Sequence, residues 1–155
     1  IKAPANALRD RLVGRKLAHL ESGLYASPDY LRSHAVLQHP DELETHQTLH
    51  LRNANGQTML WQLQKGQEQW QGESMGRIQA NTPELLMYLA CNHSGIVALP
   101  HRFAYQSVMA GKLQQVLPEW QLPGADVWAV FPGRRLLPAK TRAFVDMLVL
   151  ALKEF

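Results

Sequence analysis

The pattern of apolar and polar positions predicts short strands and short helices that alternate along the chain. Residues 15–27 are predicted to be extended, with Leu17, Leu24 and Tyr25 as core contacts. Met59, Trp61 and Leu63 alternate with their neighbours as in a half-buried strand, and Lys65-Gly66 is predicted to turn the chain into a return strand. Further strands are predicted at residues 48–51, 75–80, 95–99, 112–117 and 126–131.

Proline residues preceded by a capping residue predict where helices begin. Ser27-Pro28 and His39-Pro40 predict two short helices, at residues 28–33 and 40–45. Thr82-Pro83 predicts a third, and residues 101–110 a fourth that Gly111 ends. A long terminal helix is predicted at residues 139–155, with an inward face of Phe144, Val145, Leu148, Val149 and Leu152. The alternation of strands and helices predicts an α/β fold with a mixed sheet.

Length, hydropathy, charge and cysteine content exclude several classes of protein. The chain has 155 residues, which is about the length of one domain, and no apolar stretch long enough to span a membrane. Its net charge of +3 is spread evenly along the chain, so we do not expect this segment itself to bind nucleic acid. The single cysteine, Cys91, excludes an internal disulfide and is predicted to be a buried, inert thiol of a cytoplasmic protein. The chain begins at Ile1 rather than Met, and we expect it to be part of a longer protein.

The residue types that carry enzyme chemistry are present without the spacing that such chemistry needs. His46 and His50 are too far apart along a predicted strand to share one ion, so the seven histidines are expected at the surface, with no metal site and no cofactor. Ser94 adjoins His93, and adjacent residues do not form a catalytic triad; Ser94 is predicted to shape a helix-to-strand turn. Glycine-rich phosphate loops are absent from the sequence. We therefore expect that the chain is not an enzyme.

One segment is a better candidate for a ligand-binding site than the histidines and serine above are for a catalytic site. Asn81-Thr82-Pro83 places a polar cap and backbone N–H groups at a helix start directly after a strand. Helix N-termini at the carboxyl ends of strands attract anions, so this segment could hold a ligand. The same residues are also those of an ordinary helix cap, and taken alone they favour the cap.

Four stretches carry a resemblance to a known family: residues 12–43, 48–67, 76–103 and 111–148. The most specific is the run R-x-L-P-x-K-x-R-x-F-V-D from Arg135 to Asp146, which leads into the final helix. In this order, the four stretches resemble the effector-binding half of LysR-type bacterial transcriptional regulators. The family's usual Gly-Leu-Gly turn reads His93-Ser94-Gly95 here, which is a departure from the pattern.

The resemblance implies a fold like that of type II periplasmic binding proteins. Two α/β lobes with mixed sheets are joined by crossover strands, and the first lobe is incomplete in this chain. Residues 15–117 would form the second lobe of the effector-binding domain. Residues 1–14 and 125–155 would form part of the first lobe, with its return strand and C-terminal helix. The N-terminal DNA-binding domain of the family would be absent from the chain.

The resemblance also implies a function, which is to sense a small effector, often a carboxylate, between the two lobes. A winged helix-turn-helix in the missing N-terminal part would bind DNA, and the full protein would be a homodimer or homotetramer in the cytoplasm. The residues carried over to the effector site are Asn81, Thr82 and Pro83 at the helix start, Leu99 and Pro100 on the opposite wall, and His19 on the entry strand. The alternative is a solute-binding protein of the same fold for transport. A third possibility is a small enzyme, which the missing catalytic motifs disfavour.

Overall fold

A computed structural model of the protein describes residues 12–72, 76–132 and 138–153. Residues 1–11, 75, 133–137 and 154–155, on which parts of the sequence predictions fall, lie outside this description. The chain divides into two compact units. Unit 1 consists of Ile1–Leu20 and Gly124–Phe155, and unit 2 of Glu21–Pro123. None of the described helices is long and apolar enough to cross a membrane.

Unit 2 is built on a mixed sheet. Its strands are the second half of β1 (Leu12–Ala26), then β2 (Thr48–Leu51), β5 (Ile78–Ala80), β6 (Ile96–Pro100) and β7 (Gln114–Val116). They lie in the order β5-β2-β6-β1-β7. β2 is parallel to both β5 and β6, whereas β1 is antiparallel to β6 and β7. The predicted α/β class with a mixed sheet is therefore confirmed.

Three helices of unit 2 begin where the proline signals predict them, and the fourth begins at its predicted first residue, His101. They are α1 (Pro28–Arg32), a 3-10 helix (Pro40–Thr45), α2 (Pro83–Cys91) and α3 (His101–Met109). The Ser27 hydroxyl accepts a hydrogen bond from the Tyr30 amide at 3.2 Å, as expected of an N-cap.

A separate hairpin is formed by β3 (Trp61–Lys65) and β4 (Glu68–Gly72), with Gly66 at a φ of 59° in the turn. Glycine adopts such positive φ values without the steric cost that a side chain adds. Trp61 and Leu63 are buried as predicted, and Met59 is half exposed.

Two hydrophobic clusters cover the two faces of the unit 2 sheet. Neighbouring residues of a strand point to opposite faces, and β1 divides in this way between the clusters. The first cluster contains Leu24 and Ile96 with the hairpin residue Trp61. The second contains Tyr25 and Val97 with residues of α2 and α3. The hairpin therefore covers one face, and α2 and α3 cover the other.

Unit 1 contains the first half of β1, most of β8 (Leu122–Pro132), which pairs with β1, and α4 (Ala139–Lys153). Val145 is buried on α4, and Arg15 of β1 pairs with Asp146. Phe144, predicted to face inward, is 60% exposed, so that prediction is wrong. Apolar residues occupy more than one face of this helix, and hydrophobicity alone does not decide which face packs.

The two neighbours on α4 should respond differently to truncation. Val145→Ala removes two buried carbon atoms and should cost about 1.5–2.5 kcal/mol of unfolding free energy. Phe144→Ala removes an exposed ring and should change it by less than about 0.5 kcal/mol. Urea denaturation of both variants measures the difference, and a larger loss for Phe144→Ala would show that this ring is covered.

Candidate functional site

The carboxyl ends of three parallel strands bring two predicted segments to one edge of the unit 2 sheet. Asn81-Thr82-Pro83 follows β5, and Leu99-Pro100 ends β6. β2 lies between these two strands, with Leu51 beside Ala80 and Leu49 beside Val97. Neighbouring strands are about 4.8 Å apart, so the two segments face each other across roughly 10 Å at this edge.

The start of α2 differs from its prediction in one respect. Among the described contacts, the Thr82 side chain makes no capping hydrogen bond, although Thr82 is the N-cap residue. Asn81 and Thr82 are exposed, and Pro83 occupies the first turn. The first amides of a helix have no intrahelical partner, so those of α2 remain directed toward this edge. The expected hydroxyl cap is therefore wrong, and the hydroxyl is left for another partner.

The two residues predicted for the opposite wall, Leu99 and Pro100, differ in exposure. Leu99 is 1% exposed and packs in the hydrophobic cluster with Tyr25, whereas Pro100 is half-buried. Pro100 is also the N-cap of α3, and the contacts described for it include no side-chain cap. Two helices thus begin at the same edge without side-chain caps. Each N-terminus carries a partial positive charge equivalent to roughly half an elementary charge.

Arg52, which the sequence analysis did not single out, follows β2 and lies between the two helix starts. Its amide donates to the Ala80 carbonyl oxygen at 2.8 Å. Its Nε and Nη2 both donate to the Gly56 carbonyl oxygen, at 2.9 and 2.6 Å. The guanidinium is exposed and carries a full positive charge on the residue that follows β2. A single arginine after a four-residue strand gave no sequence signal, because the order of the strands is what makes it central.

His101 is a second residue that the sequence analysis missed. It is the first residue of α3, and its Nδ1 lies 2.5 Å from the Tyr25 hydroxyl oxygen. Burial raises the pKa of Tyr25, so the hydroxyl keeps its proton and can donate it to Nδ1. Gly23 leaves the space that this ring needs, because a Cβ there would lie 2.7 Å from His101 Cε1. When the hydroxyl donates in this way, His101 carries its own proton on Nε2, which is then a donor.

His19 lies in unit 1, whereas the other five predicted site residues lie in unit 2. Its Nδ1 is 2.6 Å from Asp126 Oδ1, and Lys16 Nζ lies at the same distance from that oxygen. The hydrogen bond from Lys16, followed by that from His19, lowers the pKa of the Asp126 carboxyl. The carboxylate therefore holds the His19 ring in place within unit 1.

A serine, a histidine and an aspartate are linked in space by side-chain contacts, as the three residues of a catalytic triad are. Ser27 Oγ is 2.9 Å from His93 Nδ1, and His93 Nε2 is 3.4 Å from Asp29 Oδ2. Ser27 is only 1% exposed, however, and its oxygen already caps α1. A nucleophile must reach its substrate, so this arrangement fastens α1 to the turn after α2 and performs no chemistry.

The turn at His93-Ser94-Gly95 is confirmed. The Ser94 amide donates to the Leu89 carbonyl oxygen at 3.0 Å, and His93 and Gly95 have φ values of 63° and 146°.

Two histidines expected at the surface are buried. His46 is 7% and His50 is 2% exposed, so the surface prediction is wrong for both. His50 packs on the Trp61 ring and bonds to Thr48 Oγ1 through Nε2 at 3.0 Å, so the core uses a ring face and a ring nitrogen. Cys91 is half-buried rather than fully buried. Within the described residues, no group of three or more His, Cys, Asp or Glu side chains could hold a metal ion.

Comparison with known proteins gives one consistent result. The family model of the LysR substrate binding domain matches residues 3–153. An HTH-type transcriptional regulator of Xanthomonas campestris is 36% identical over 144 residues, which are 91% of this chain and 42% of that protein. An HTH-type transcriptional repressor of Pseudomonas aeruginosa is 31% identical over 145 residues, which are 92% and 46%. The chain thus spans less than half the length of these curated relatives.

The solved structures similar to this chain are also transcriptional regulators. The full-length virulence activator AphB of Vibrio cholerae, a member of the LTTR protein family, superposes with a TM-score of 0.77 at 29% identity. The match covers 91% of this chain and 48% of AphB. The regulatory domain of CrgA, a LysR-type transcriptional regulator from Neisseria meningitidis, gives 0.67 at 25% identity and covers 91% and 69% of the two chains.

Proposed function

Because the chain belongs to the LysR substrate-binding domain family of transcriptional regulators, we propose that it senses a small anionic metabolite at the edge where α2 and α3 begin. The family has the fold class predicted from the sequence, like that of type II periplasmic binding proteins. Membership in a family of regulators disfavours the transport alternative and the enzyme alternative. In this proposal, residues 15–117 form the second lobe, and residues 1–14 and 125–155 contribute to the first.

The observation that carries the proposal is the convergence of positive charge at one sheet edge. The uncapped starts of α2 and α3 lie on either side of Arg52. Backbone amides at helix starts bind carboxylates and phosphates without the need for a dedicated side chain. His101 adds an oriented N–H donor, and Thr82 adds a hydroxyl without a capping role. These groups suit a ligand with a carboxylate and a second polar group.

For the whole protein, we extend the proposal to DNA binding and to the oligomeric state. DNA would be bound by an N-terminal winged helix-turn-helix outside this chain, in a cytoplasmic homodimer or homotetramer. The effector would act by binding one arrangement of the protein more tightly than another, which is the only way a ligand can shift such an equilibrium. His19 stays an effector contact predicted from the resemblance alone, and no metal or other cofactor would take part.

Thermal unfolding in the presence of small organic acids and their amides tests the proposed ligand class. A binding carboxylate at 100 times its dissociation constant should stabilise the protein by about 2.7 kcal/mol. The amide of the same acid has nearly the same shape without the charge, and it should give little stabilisation. Equal stabilisation by acid and amide, or by neutral compounds only, would contradict an anion site.

Thr82 should contribute to binding rather than to folding. Since its hydroxyl makes no capping bond among the described contacts, Thr82→Ala should change the unfolding free energy by less than about 0.5 kcal/mol. The loss of a hydrogen bond to a charged ligand should weaken affinity by about 1.5–3 kcal/mol, or roughly 10–150-fold.

Thr82→Ser is the matched control, because it keeps the hydroxyl and should preserve the affinity of the stabilising acid. Calorimetric titration and urea denaturation give the two quantities. If alanine leaves the affinity unchanged, Thr82 is outside the site and Pro100 and His101 mark where to look next.

A further inference from the structure

His46 is a buried histidine with a ring nitrogen that makes no hydrogen bond within the part of the chain that the structure describes. It follows the 3-10 helix and is 7% exposed. Its Nδ1 lies 3.2 Å from the Tyr30 hydroxyl oxygen. Among the described residues, Nε2 makes no hydrogen bond although it is buried. A buried polar atom without a partner is uncommon in folded proteins and often marks a strained or switchable position.

The bonding of the Tyr30 hydroxyl decides which form of His46 fits. Tyr30 is 2% exposed, and its hydroxyl oxygen accepts a hydrogen bond from the Gln47 amide at 2.9 Å. The hydroxyl proton can then be donated to His46 Nδ1, which must be unprotonated to accept it. Protonated His46 would carry a hydrogen on Nδ1 and could only donate to the Tyr30 oxygen, which would leave the hydroxyl proton without an acceptor among the described contacts. Its second N–H, on Nε2, would also be buried without an acceptor.

His34 connects this pair to the loop that follows α1. Its ring stacks on the Tyr30 ring, with centroids 3.9 Å apart and an interplanar angle of 21°. Its Nδ1 lies 2.8 Å from the Tyr30 carbonyl oxygen, and its ring centroid lies 5.9 Å from that of His46. The loop at residues 33–39 is otherwise largely exposed. The stacked His34 ring therefore fastens the loop to the same buried tyrosine that binds His46.

The other charged groups nearby are already paired. Glu42 of the 3-10 helix accepts hydrogen bonds from the Gln38 and His39 amides, at 2.6 and 3.0 Å. On α1, Asp29 pairs with Arg32 and with His93. Burial, and then the charge on His34, lowers the pKa of His46, and the charge on Glu42 opposes the shift without reversing it.

We propose that Tyr30, His34 and His46 form a pH-sensitive latch that holds the loop at residues 33–39 onto the body of unit 2. The latch is closed while His46 is neutral. Protonation of His46 removes the acceptor of the Tyr30 hydroxyl proton and places a buried positive charge beside the His34 ring, which releases that ring and the loop. This proposal does not depend on the identity of the effector or on where it binds.

The direction of the pH effect follows from the depressed pKa. An unlatched His46 has the ordinary histidine pKa of about 6.5, whereas the latched one has a lower pKa. Below about pH 6.5 the open form therefore binds a proton that the closed form does not bind. The latch has its full stability above this pH and loses it as the pH falls toward the pKa of the latched ring.

Amide hydrogen exchange of the intact protein, read by mass spectrometry, tests the latch. After correction for the intrinsic pH dependence of exchange, protection of residues 33–39 should fall by up to tenfold per pH unit below about pH 6.5. His46→Phe keeps a ring of similar size without a titrating nitrogen, and its loop protection should not change over this range. His50→Gln changes the other buried histidine and should retain the response.

Exchange of the imidazole carbon hydrogen in the wild-type protein gives the titration of His46 directly, even if the phenylalanine variant fails to fold. A midpoint below pH 6.5 supports the latch. An ordinary or raised midpoint, or a loop response that survives in folded His46→Phe, would overturn it.

Discussion

Replacement of Tyr30 by alanine is expected to destabilise unit 2 by about 4–8 kcal/mol, because two costs add. The ring is 2% exposed within the cluster that also contains Leu24 and Trp61, and truncation of a buried aromatic costs about 3–5 kcal/mol. The Gln47 amide would also lose its acceptor, and such a buried unpaired donor costs about 1–3 kcal/mol. Whole domains are stable by only about 5–15 kcal/mol, so this single change should come close to unfolding the unit.

Tyr30→Phe separates the two costs. It keeps the ring and removes only the hydroxyl, so about 1–3 kcal/mol should be lost. Urea denaturation followed by tryptophan fluorescence gives both values, and the four tryptophans include two buried ones, Trp61 and Trp120. A loss below about 2 kcal/mol for the alanine variant would mean that the surrounding cluster collapses into the space of the ring.

The sequence predicts the elements of this fold well because their signals are local. Each proline-marked helix start is found where it was expected, at Pro28, Pro40 and Pro83. Proline fixes its own φ and restricts the residue before it, so the boundary is encoded by two adjacent residues. The buried positions Trp61 and Leu63 follow from alternation alone. The strand β8, in contrast, begins four residues before its predicted start, since Leu122 to Ala125 show no such pattern.

Burial of particular side chains is predicted less well, because it depends on residues distant in sequence. Phe144 and Val145 are equally apolar neighbours, and only the partner surface in unit 1 decides that Val145 packs. His46 and His50 are polar in isolation, yet Tyr30 and Thr48 provide the hydrogen bonds that allow them inside.

The candidate site likewise contains some residues that local sequence signals predict and others that only the fold brings there. Asn81, Thr82 and Pro100 are recognisable as the ends of elements, so the sequence could point to them. Arg52 and His101 become neighbours of that edge only through the strand order β5-β2-β6-β1 and through the bond between His101 and Tyr25. No local pattern reports a pairing between residues that are 76 positions apart.

Substitution of Gly95 by alanine is expected to disturb both stability and the site. Its φ of 146° lies in a region that residues with a side chain rarely adopt, which costs about 1–3 kcal/mol. A Cβ at this position would overlap the Gln47 carbonyl oxygen and would lie 3.0 Å from its carbonyl carbon. Backbone atoms cannot move aside as a flexible side chain can, and overpacking of this kind adds about 1–3 kcal/mol. Together the two effects should cost about 2–6 kcal/mol.

The same carbonyl oxygen accepts the Ile96 amide at 2.9 Å, next to the point where Thr48 of β2 pairs with Ile96 of β6. A displaced Gln47 carbonyl would therefore disturb the start of the parallel pairing that places β2 beside β6. Gly111→Ala is the matched control, because its φ of 69° is also positive but a Cβ there meets no atom within 4 Å. It should cost only about 1–2 kcal/mol. Denaturant melts of the two variants, together with the affinity of a stabilising acid, test the argument. Equal losses of stability would show that the carbonyl yields to the added methyl group, and an unchanged affinity in folded Gly95→Ala would show that the sheet edge does not depend on this turn.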